Sequence, residues 1–210
     1  MNHDDFKFEP VRGLPEALPP GEVILWQGAP SPWRLAREAL GLYWVAGYFA
    51  LLAVWRVGVS STTEPFGLAM AHAIPFLVIG AVACSVLMLI ALIQAKATVY
   101  TLTNKRVAMR IGAALTMTLN LPYTQIANAE LDKRKSGHGT IAFELIGETR
   151  FSYILCWPHL KPWRMRKTEP ALRCVPNAAR VAEIFAEAAE TRLSEPQIER
   201  VADIQQIAAE

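Results

Sequence analysis

Two long uncharged apolar runs dominate the hydrophobic pattern of this 210-residue chain. Residues 39–55 form the first run and residues 65–95 the second, with a short polar turn between them. A helix needs about 20 apolar residues to cross the hydrocarbon core of a bilayer. The second run exceeds that length, and the first approaches it if Arg56 extends its side chain to the interface. The pattern therefore predicts a transmembrane helical hairpin over residues 39–95, with a buried helical hairpin in a soluble core as the alternative.

Beyond the hairpin, the apolar positions follow the period of β-strands. Residues 97–112 predict two short strands joined by a turn at Asn104 and Lys105, because β-branched and aromatic side chains recur there. The remaining strands are expected, in chain order, over residues 116–121, 126–131, 140–147 and 149–157. The last of these should return as the antiparallel partner of the strand before it. Short strands at this spacing predict an antiparallel meander or a small barrel.

A C-terminal helix is predicted to close this β-domain. Asn177 supplies the N-cap. The apolar stripe of the helix consists of Val181, Ile184, Phe185 and Ala188. Residues 96–192 are therefore assigned to the domain, and residues 193–210 to an amphipathic helix or tail. The whole pattern predicts an α+β membrane protein, in which a two-helix transmembrane hairpin precedes an antiparallel β-domain closed by a helix.

Residues 1–38 form a polar, proline-punctuated lead on the same side of the membrane as the β-domain. Its prolines disfavour a long helix, but residues 22–28 are suited to one short strand. A helix is expected to begin after Ser31, with Pro32 at its first position. The residues of this helix that suit a membrane interface are Trp33, Arg34 and Arg37. A place in the interfacial belt is favoured over a binding role for them.

Composition agrees with a membrane anchor joined to ordinary globular sequence. The chain is 52% hydrophobic with a mean hydropathy of +0.21, although 19% of its residues are charged. Cys84, Cys156 and Cys174 show no CxxC spacing, which indicates free thiols in a reducing compartment. The first 20 residues lack the apolar core of a cleavable signal peptide.

Basic residues are distributed unevenly about the two runs. Arg56 is the only basic residue between the runs, whereas four precede the first and four closely follow the second. The positive-inside rule therefore predicts that both termini are cytoplasmic. Residues 96–175 hold 13 Lys and Arg against 5 Asp and Glu, but residues 176–210 hold 3 against 7. A basic domain gains about 1 kcal/mol per residue near an anionic leaflet. Nucleic-acid binding is not expected, because no recognition motif accompanies the charge.

The segment from His159 to Pro170 is the most distinctive candidate for an interaction surface. It places large apolar side chains among cations, and its members are Trp163, Arg164, Met165, Arg166 and Lys167. A second basic cluster consists of Lys133, Arg134 and Lys135. Aromatic residues beside arginines are typical of protein-interface hot spots, and equally of loops that rest on lipid headgroups. The alternative is that Trp163 folds back onto the core.

No catalytic or metal-binding constellation is recognised. The four histidines are dispersed, and no phosphate-binding, nucleophile or zinc motif occurs, so the chain is not expected to be an enzyme or to need a cofactor or metal. His72 is a candidate pigment ligand because it lies within the second apolar run. A hydrated or hydrogen-bonded interfacial histidine is the favoured alternative.

Three motifs resemble the bacterial pleckstrin-homology-like domain: YTLTNKRVAMRIG over residues 100–112, NLPYTQIANAEL over 120–131 and GHGTIAFEL over 137–145. Three further stretches extend the resemblance, namely FEPVRGLPE, PSPWRLAREAL and PWRMRKTEPALRCVPNAARVAEIFAEA. Together they resemble the PuhB-type photosynthetic complex assembly proteins of purple bacteria. The resemblance to the pleckstrin-homology-like domain, with the two apolar runs included, covers about residues 18–189, and the family resemblance supplies no catalytic residues.

The resemblance implies a membrane-anchored assembly factor for the photosynthetic reaction centre and its core light-harvesting complex, which binds and releases subunits. It implies a multi-pass protein of the bacterial inner, photosynthetic intracytoplasmic membrane. Its partners would be reaction-centre and core-antenna subunits and membrane lipids, with a homodimer as a further option. One alternative is a generic membrane-anchored protein with a lipid or envelope function. Another is a pigment carrier that uses His72.

Overall fold

The computed structural model describes residues 10–113, 115–147 and 151–194. Helices and strands are both present along the chain, and Tyr123–Gln125 forms a 3₁₀ turn. In chain order the elements are β1 (Ile24–Gly28), α1 (Pro32–Glu38), α2 (Leu42–Ser60), α3 (Phe66–Ala71), α4 (Ile74–Ala97), β2 (Val99–Thr103), β3 (Arg106–Ile111), β4 (Met117–Pro122), β5 (Ile126–Lys133), β6 (Gly139–Leu145), α5 (Tyr153–Cys156), β7 (Ala171–Val175) and α6 (Ala178–Ser194).

Helices α2 and α4 pack against each other as a hairpin whose outer surface is apolar. Only 11% of the most apolar window of each candidate span is buried within the protein. A soluble core would bury most of such a surface, so the prediction of a membrane hairpin is favoured over the soluble alternative. The two helices approach closely at Gly80, where an added Cβ would lie 2.7 Å from the Cβ of Phe49. A small residue is therefore needed at this contact.

The second apolar run is divided into two helices rather than one. Helix α3 ends at Ala71, and α4 begins at Ile74, with Pro75 as its second residue. Pro75 has no amide hydrogen to continue the preceding helix, which explains the break at His72. The helix formed by the first run extends further than expected: α2 includes Arg56 and ends at Ser60.

The β-domain consists of two antiparallel sheets that face one core. The first sheet has the strand order β1-β2-β3-β4, so the strand of the lead joins the β-domain, and the second has the order β5-β6-β7. Phe185 of α6 packs edge-on against Tyr123 at 5.4 Å and in a tilted arrangement against Phe143 at 5.1 Å. Val181 and Ala188 are also buried, as expected, but Ile184 is only half-buried. Of the tail, residues 195–210 lie outside the described residues.

The prediction of a return strand over residues 149–157 is wrong. Residues 148–150 lie outside the described residues, and Tyr153–Cys156 forms the short helix α5. The strand beside β6 is β7, with Ile141 opposite Leu172. Since β5 pairs with the other edge of β6, no edge remains for the expected strand. All five residues of β7 are buried, including an arginine, so the segment shows no alternation by which it could be recognised.

Helix α1 forms as expected, and one of its faces is buried. Leu35 and Ala36 are fully buried beside Ala91 of α4 and Cys174 of β7. Trp33 remains exposed. Ser31 occupies the N-cap position without a side-chain cap hydrogen bond, and its backbone N–H donates to the carbonyl oxygen of Cys174 at 2.9 Å. The lead is therefore joined both to the hairpin and to the second sheet.

Candidate functional site

The segment that carries Trp163 is a protruding loop. Leu160 and Pro170 pair as an antiparallel bridge, and the N–H of Lys161 donates to the carbonyl oxygen of Glu169 at 2.9 Å. Residues 162–167 between these pairs are exposed, and Trp163 is 90% exposed. Trp163 therefore does not fold back onto the core. Its φ of 64° is in the left-handed region, which is unfavourable for a bulky residue. We call residues 161–168 the tryptophan loop.

Ion pairs hold the tryptophan loop over the outer face of the second sheet. Lys167 Nζ donates to Glu144 Oε1 of β6 at 2.7 Å, and this hydrogen bond lowers the pKa of the Glu144 carboxyl. Lys161 bridges Glu130 of β5 and Glu169, and its hydrogen bond to Glu130 is the main reason that its pKa is raised. Because both ends of the loop are tied to the sheet, Trp163 is presented at a defined position.

The second predicted cluster lies at the turn between β5 and β6. Arg134 Nη2 lies 3.3 Å from Asp132 Oδ2, and its Nε lies 3.9 Å from Glu38 Oε2 at the end of α1. Lys133 and Lys135 are exposed. Among the described residues, neither of these lysines nor Arg166 forms an ion pair. No ion pair within the described residues neutralises these three exposed cations, which can therefore face a binding partner or lipid.

A pocket of about 180 Å³ lies between the start of the tryptophan loop, at Lys161 and Pro162, and the β5–β6 turn, where Arg134 is the one predicted site residue in its lining. Three cations and three anions share its wall, so the pocket itself is balanced in charge. The lining residues are Glu38, Glu130, Asp132, Arg134, Thr140, Ala142, Lys161, Pro162 and Arg173. The surplus of positive charge lies instead on the rim, on the tryptophan loop and on the β5–β6 turn. The arrangement therefore favours a basic docking rim with an exposed aromatic residue over an enclosed anion site.

A buried polar relay, which the sequence analysis did not identify, joins the β-domain to the hairpin. The backbone N–H of Arg173 donates to Tyr100 Oη at 3.3 Å, and Tyr100 Oη lies 2.6 Å from His159 Nδ1. On the other side of the ring, His159 Nε2 lies 3.2 Å from Thr98 Oγ1, which donates to the carbonyl oxygen of Gln94 in α4 at 2.8 Å. Every bond is satisfied when Tyr100 donates to Nδ1 and the neutral ring carries its proton on Nε2.

Burial fixes the protonation states of this relay. Burial, and to a smaller extent the positive charge of Arg173, lowers the pKa of His159 to about 3. Burial also raises the pKa of the Tyr100 hydroxyl, which therefore stays protonated. The two groups are separated by 59 residues in sequence, so no local spacing could have revealed their contact. The His159 ring is enclosed, with 1% of the residue exposed, so we assign the pair a structural role.

The guanidinium of Arg173 strengthens the same junction. Its Nη1 donates to the carbonyl oxygens of Pro158 and Leu160 at 3.4 and 3.3 Å, and its Nη2 donates to that of Glu38 at 3.4 Å. These bonds connect β7 to the end of α1 and to the segment before the tryptophan loop. The hairpin, the lead and the β-domain are therefore held together by one buried network.

The predicted interfacial residues lie on α1. Arg34 Nη1 lies 3.8 Å from Glu38 Oε1, and the guanidinium of Arg37 lies over the Tyr43 ring at 4.6 Å from its centroid. Trp33 is exposed beside them, and the place of these residues in an interfacial belt stays a prediction. None of the three lines the pocket between the two basic clusters.

His72 lies at the other end of the hairpin. Its Nδ1 is 2.9 Å from Ser60 Oγ and 3.4 Å from Glu64 Oε2, as expected of a hydrogen-bonded interfacial histidine. Within the described ranges, no group of three or more His, Cys, Asp or Glu side chains is arranged to hold a metal ion. His72 therefore belongs to the turn of the hairpin, remote from the tryptophan loop.

Comparison with known proteins places this architecture in a family. The model of the bacterial PH domain matches residues 40–189, which include the hairpin as well as the β-domain. The chain is 43% identical over 200 residues to an uncharacterized 23.7 kDa protein in the puhA 5′ region of Rhodobacter capsulatus, with 94% of each chain covered. A DUF1696 family protein with a pleckstrin-homology domain from Shewanella loihica is 12% identical, with a TM-score of 0.30 over 44% of this chain and 71% of the other. The chain belongs to the bacterial PH domain family.

Proposed function

We propose that this protein is a membrane-anchored assembly factor for the photosynthetic reaction centre and its core light-harvesting complex. The observation that carries the photosynthetic assignment is the 43% identity, over 94% of both chains, to a protein in the puhA 5′ region. That location is a photosynthesis-gene neighbourhood, and the same assignment follows from the resemblance to PuhB-type assembly proteins. The proposed location is the bacterial inner membrane, with both termini in the cytoplasm.

In this proposal the tryptophan loop is the docking surface for a membrane subunit. An exposed Trp beside arginines has the composition of an interface hot spot, and Trp163 is held in an unfavourable backbone conformation that the core does not require. The cationic rim, including Lys133 and Lys135, would steer the basic domain toward acidic surfaces and anionic lipid. Binding and release would need no covalent chemistry and an interface smaller than that of an obligate complex.

The test is co-purification from cells that grow photosynthetically. The double variant Trp163→Ala, Arg164→Ala removes the exposed aromatic and its neighbouring cation. The matched control, Arg180→Ala with Leu193→Ala, removes an exposed cation and an exposed apolar side chain from α6. Hot-spot truncations cost at least about 2 kcal/mol, so recovery of reaction-centre or core-antenna polypeptides should fall by roughly 30-fold for the loop variant only.

Two outcomes would count against the proposal. Equal recovery with both variants would remove the tryptophan loop from the account. Absence of reaction-centre and antenna polypeptides from the wild-type eluate would instead refute the assembly function and favour a generic lipid or envelope role.

The pigment-carrier alternative has its own test. Since Nδ1 of His72 contacts Ser60, only Nε2 remains as a ligand atom. A carrier purified in detergent would be coloured and would lose its colour in His72→Ala, whereas the assembly factor is expected to be colourless in both forms.

A further inference from the structure

A short apolar segment outside the hairpin lies uncovered on the β-domain. In α5 and the residue after it, Ile154 is 86% exposed, Leu155 59% and Trp157 40%. The other side of the same segment is packed, because Cys156 is buried in the core and Tyr153 is partly buried against it. One side of the segment therefore faces the core, and large apolar side chains form its outward side. Exposure of such a surface to water is unfavourable, which indicates an interaction site.

Hydrogen bonds place this segment at the end of the β-domain nearest the hairpin. His159 Nε2 contacts Thr98, the first residue after α4, and the carbonyl oxygen of Pro158 accepts from Arg173, which also binds the end of α1. Leu155 precedes His159 by four residues, a span of at most about 14 Å even if extended. The backbone is more compact than that, because the N–H of His159 donates to the carbonyl oxygen of Cys156 at 2.8 Å.

The register of the first sheet identifies a second exposed apolar residue at this end. One residue separates α4 from β2, and Val99 of β2 lies opposite Arg110 of β3. Since Ile111 lies opposite Met117, the connection from β3 to β4 returns to the same end. Leu115 in that connection is 78% exposed. The opposite end of the sheet is marked by the turn at residues 104–105.

We propose that α5, together with Trp157, lies in the interfacial layer of the same bilayer that the hairpin spans, as a third and non-spanning membrane contact. Continuity favours lipid as the occupant, because Leu155 lies within about 14 Å of His159, whose ring contacts Thr98 at the end of α4, where the uncovered apolar surface of the hairpin ends. The headgroup layer on each side of the hydrocarbon core is about 5–8 Å thick, which is deep enough for the outward apolar side chains of α5. Trp is also the side chain that prefers this layer.

This contact would set the orientation of the whole β-domain. A domain joined to the membrane only through α4 could rotate about the axis of that helix. The buried relay and a second point of lipid contact would prevent that rotation. The tryptophan loop, which begins two residues after His159, would then be kept at a constant height above the bilayer.

Photocrosslinking in vesicles tests the proposal. The full chain is reconstituted in phosphatidylethanolamine and phosphatidylglycerol, with Ile154 replaced by p-benzoylphenylalanine, and lipid adducts are measured by mass spectrometry after illumination. The positive reference is the same replacement at Trp44, which is 86% exposed on α2. The negative reference is Val23, which is 54% exposed and whose carbonyl accepts from Asn104 at the far end of the sheet.

The expected result is a lipid adduct at position 154 with a yield near that at position 44. No adduct above background is expected at position 23. Because Ile154 is exposed, the replacement should not disturb folding, and Leu155 offers a second position if it does. Background yields at both 154 and 155 alongside a strong adduct at 44 would overturn the proposal. Crosslinks from 154 to a second copy of the chain would overturn it too, in favour of a protein occupant.

Discussion

Acidification should weaken the junction between the hairpin and the β-domain through His159. The ring is neutral in the folded protein, where burial lowers its pKa to about 3, whereas an unfolded His titrates near about 6.5. Below pH 6.5 the unfolded chain therefore binds a proton that the folded chain does not. Stability is fully present above this pH and is lost as the pH falls toward the folded pKa.

The size of this effect follows from the difference in proton binding. Each pH unit between the two pKa values costs about 1.4 kcal/mol, so the free energy of unfolding should fall by about 2 kcal/mol between pH 7.5 and pH 5. This figure requires only that the folded pKa of His159 lies below 5. Protonation at Nδ1 would also remove the acceptor for Tyr100 Oη.

The assay is denaturant unfolding in detergent, followed by near-ultraviolet circular dichroism between pH 5 and pH 7.5. His159→Gln cannot titrate and should lose this component of the pH dependence, although it should be less stable at pH 7.5. The matched control is His138→Gln, since His138 lies at the β5–β6 turn and is not fully buried. An equal slope in the wild type and His159→Gln would refute the reasoning.

Two further substitutions test the packing of the hairpin and of the β-domain. Gly80→Ala should destabilise the hairpin by about 1–3 kcal/mol, because its Cβ would overlap Phe49. Gly47→Ala enters open space within α2 and should not destabilise it, since Ala favours a helix over Gly; thermal unfolding in detergent distinguishes the two variants. Phe185→Ala should cost about 3–5 kcal/mol by emptying the aromatic contact under α6, while the exposed Leu193→Ala should change the free energy of unfolding by less than about 0.5 kcal/mol. Equal effects within either pair would contradict the packing described.

The parts of the fold that sequence predicts are those with a periodic signal. The hairpin, the antiparallel strands around Asn104 and the closing helix all follow from the spacing of apolar residues. Strand β7 does not, because its residues are buried on both faces and include Arg173, whose Nη1 donates to backbone carbonyl oxygens. The apolar residues of α5 resemble a strand in sequence, yet they lie in a helical turn with Ile154 exposed.

The candidate site is divided in the same way. Prolines and interleaved charges correctly indicate that the segment after His159 is a loop, and the structure places Trp163 outward on it. The role of His159 depends on Tyr100 and Thr98, which lie about 60 residues earlier in the chain. Contacts of such separation are set by the packing of whole elements, so sequence patterns within one segment do not contain them.

The assembly function is tested most directly by deleting the gene and measuring membrane absorption spectra in photosynthetically grown cells. We expect the deletion strain to contain less assembled reaction centre and core antenna at an unchanged rate of pigment synthesis. We also expect recovery with the wild-type chain but not with Trp163→Ala, Arg164→Ala. An unchanged amount of assembled complex after deletion would contradict the account.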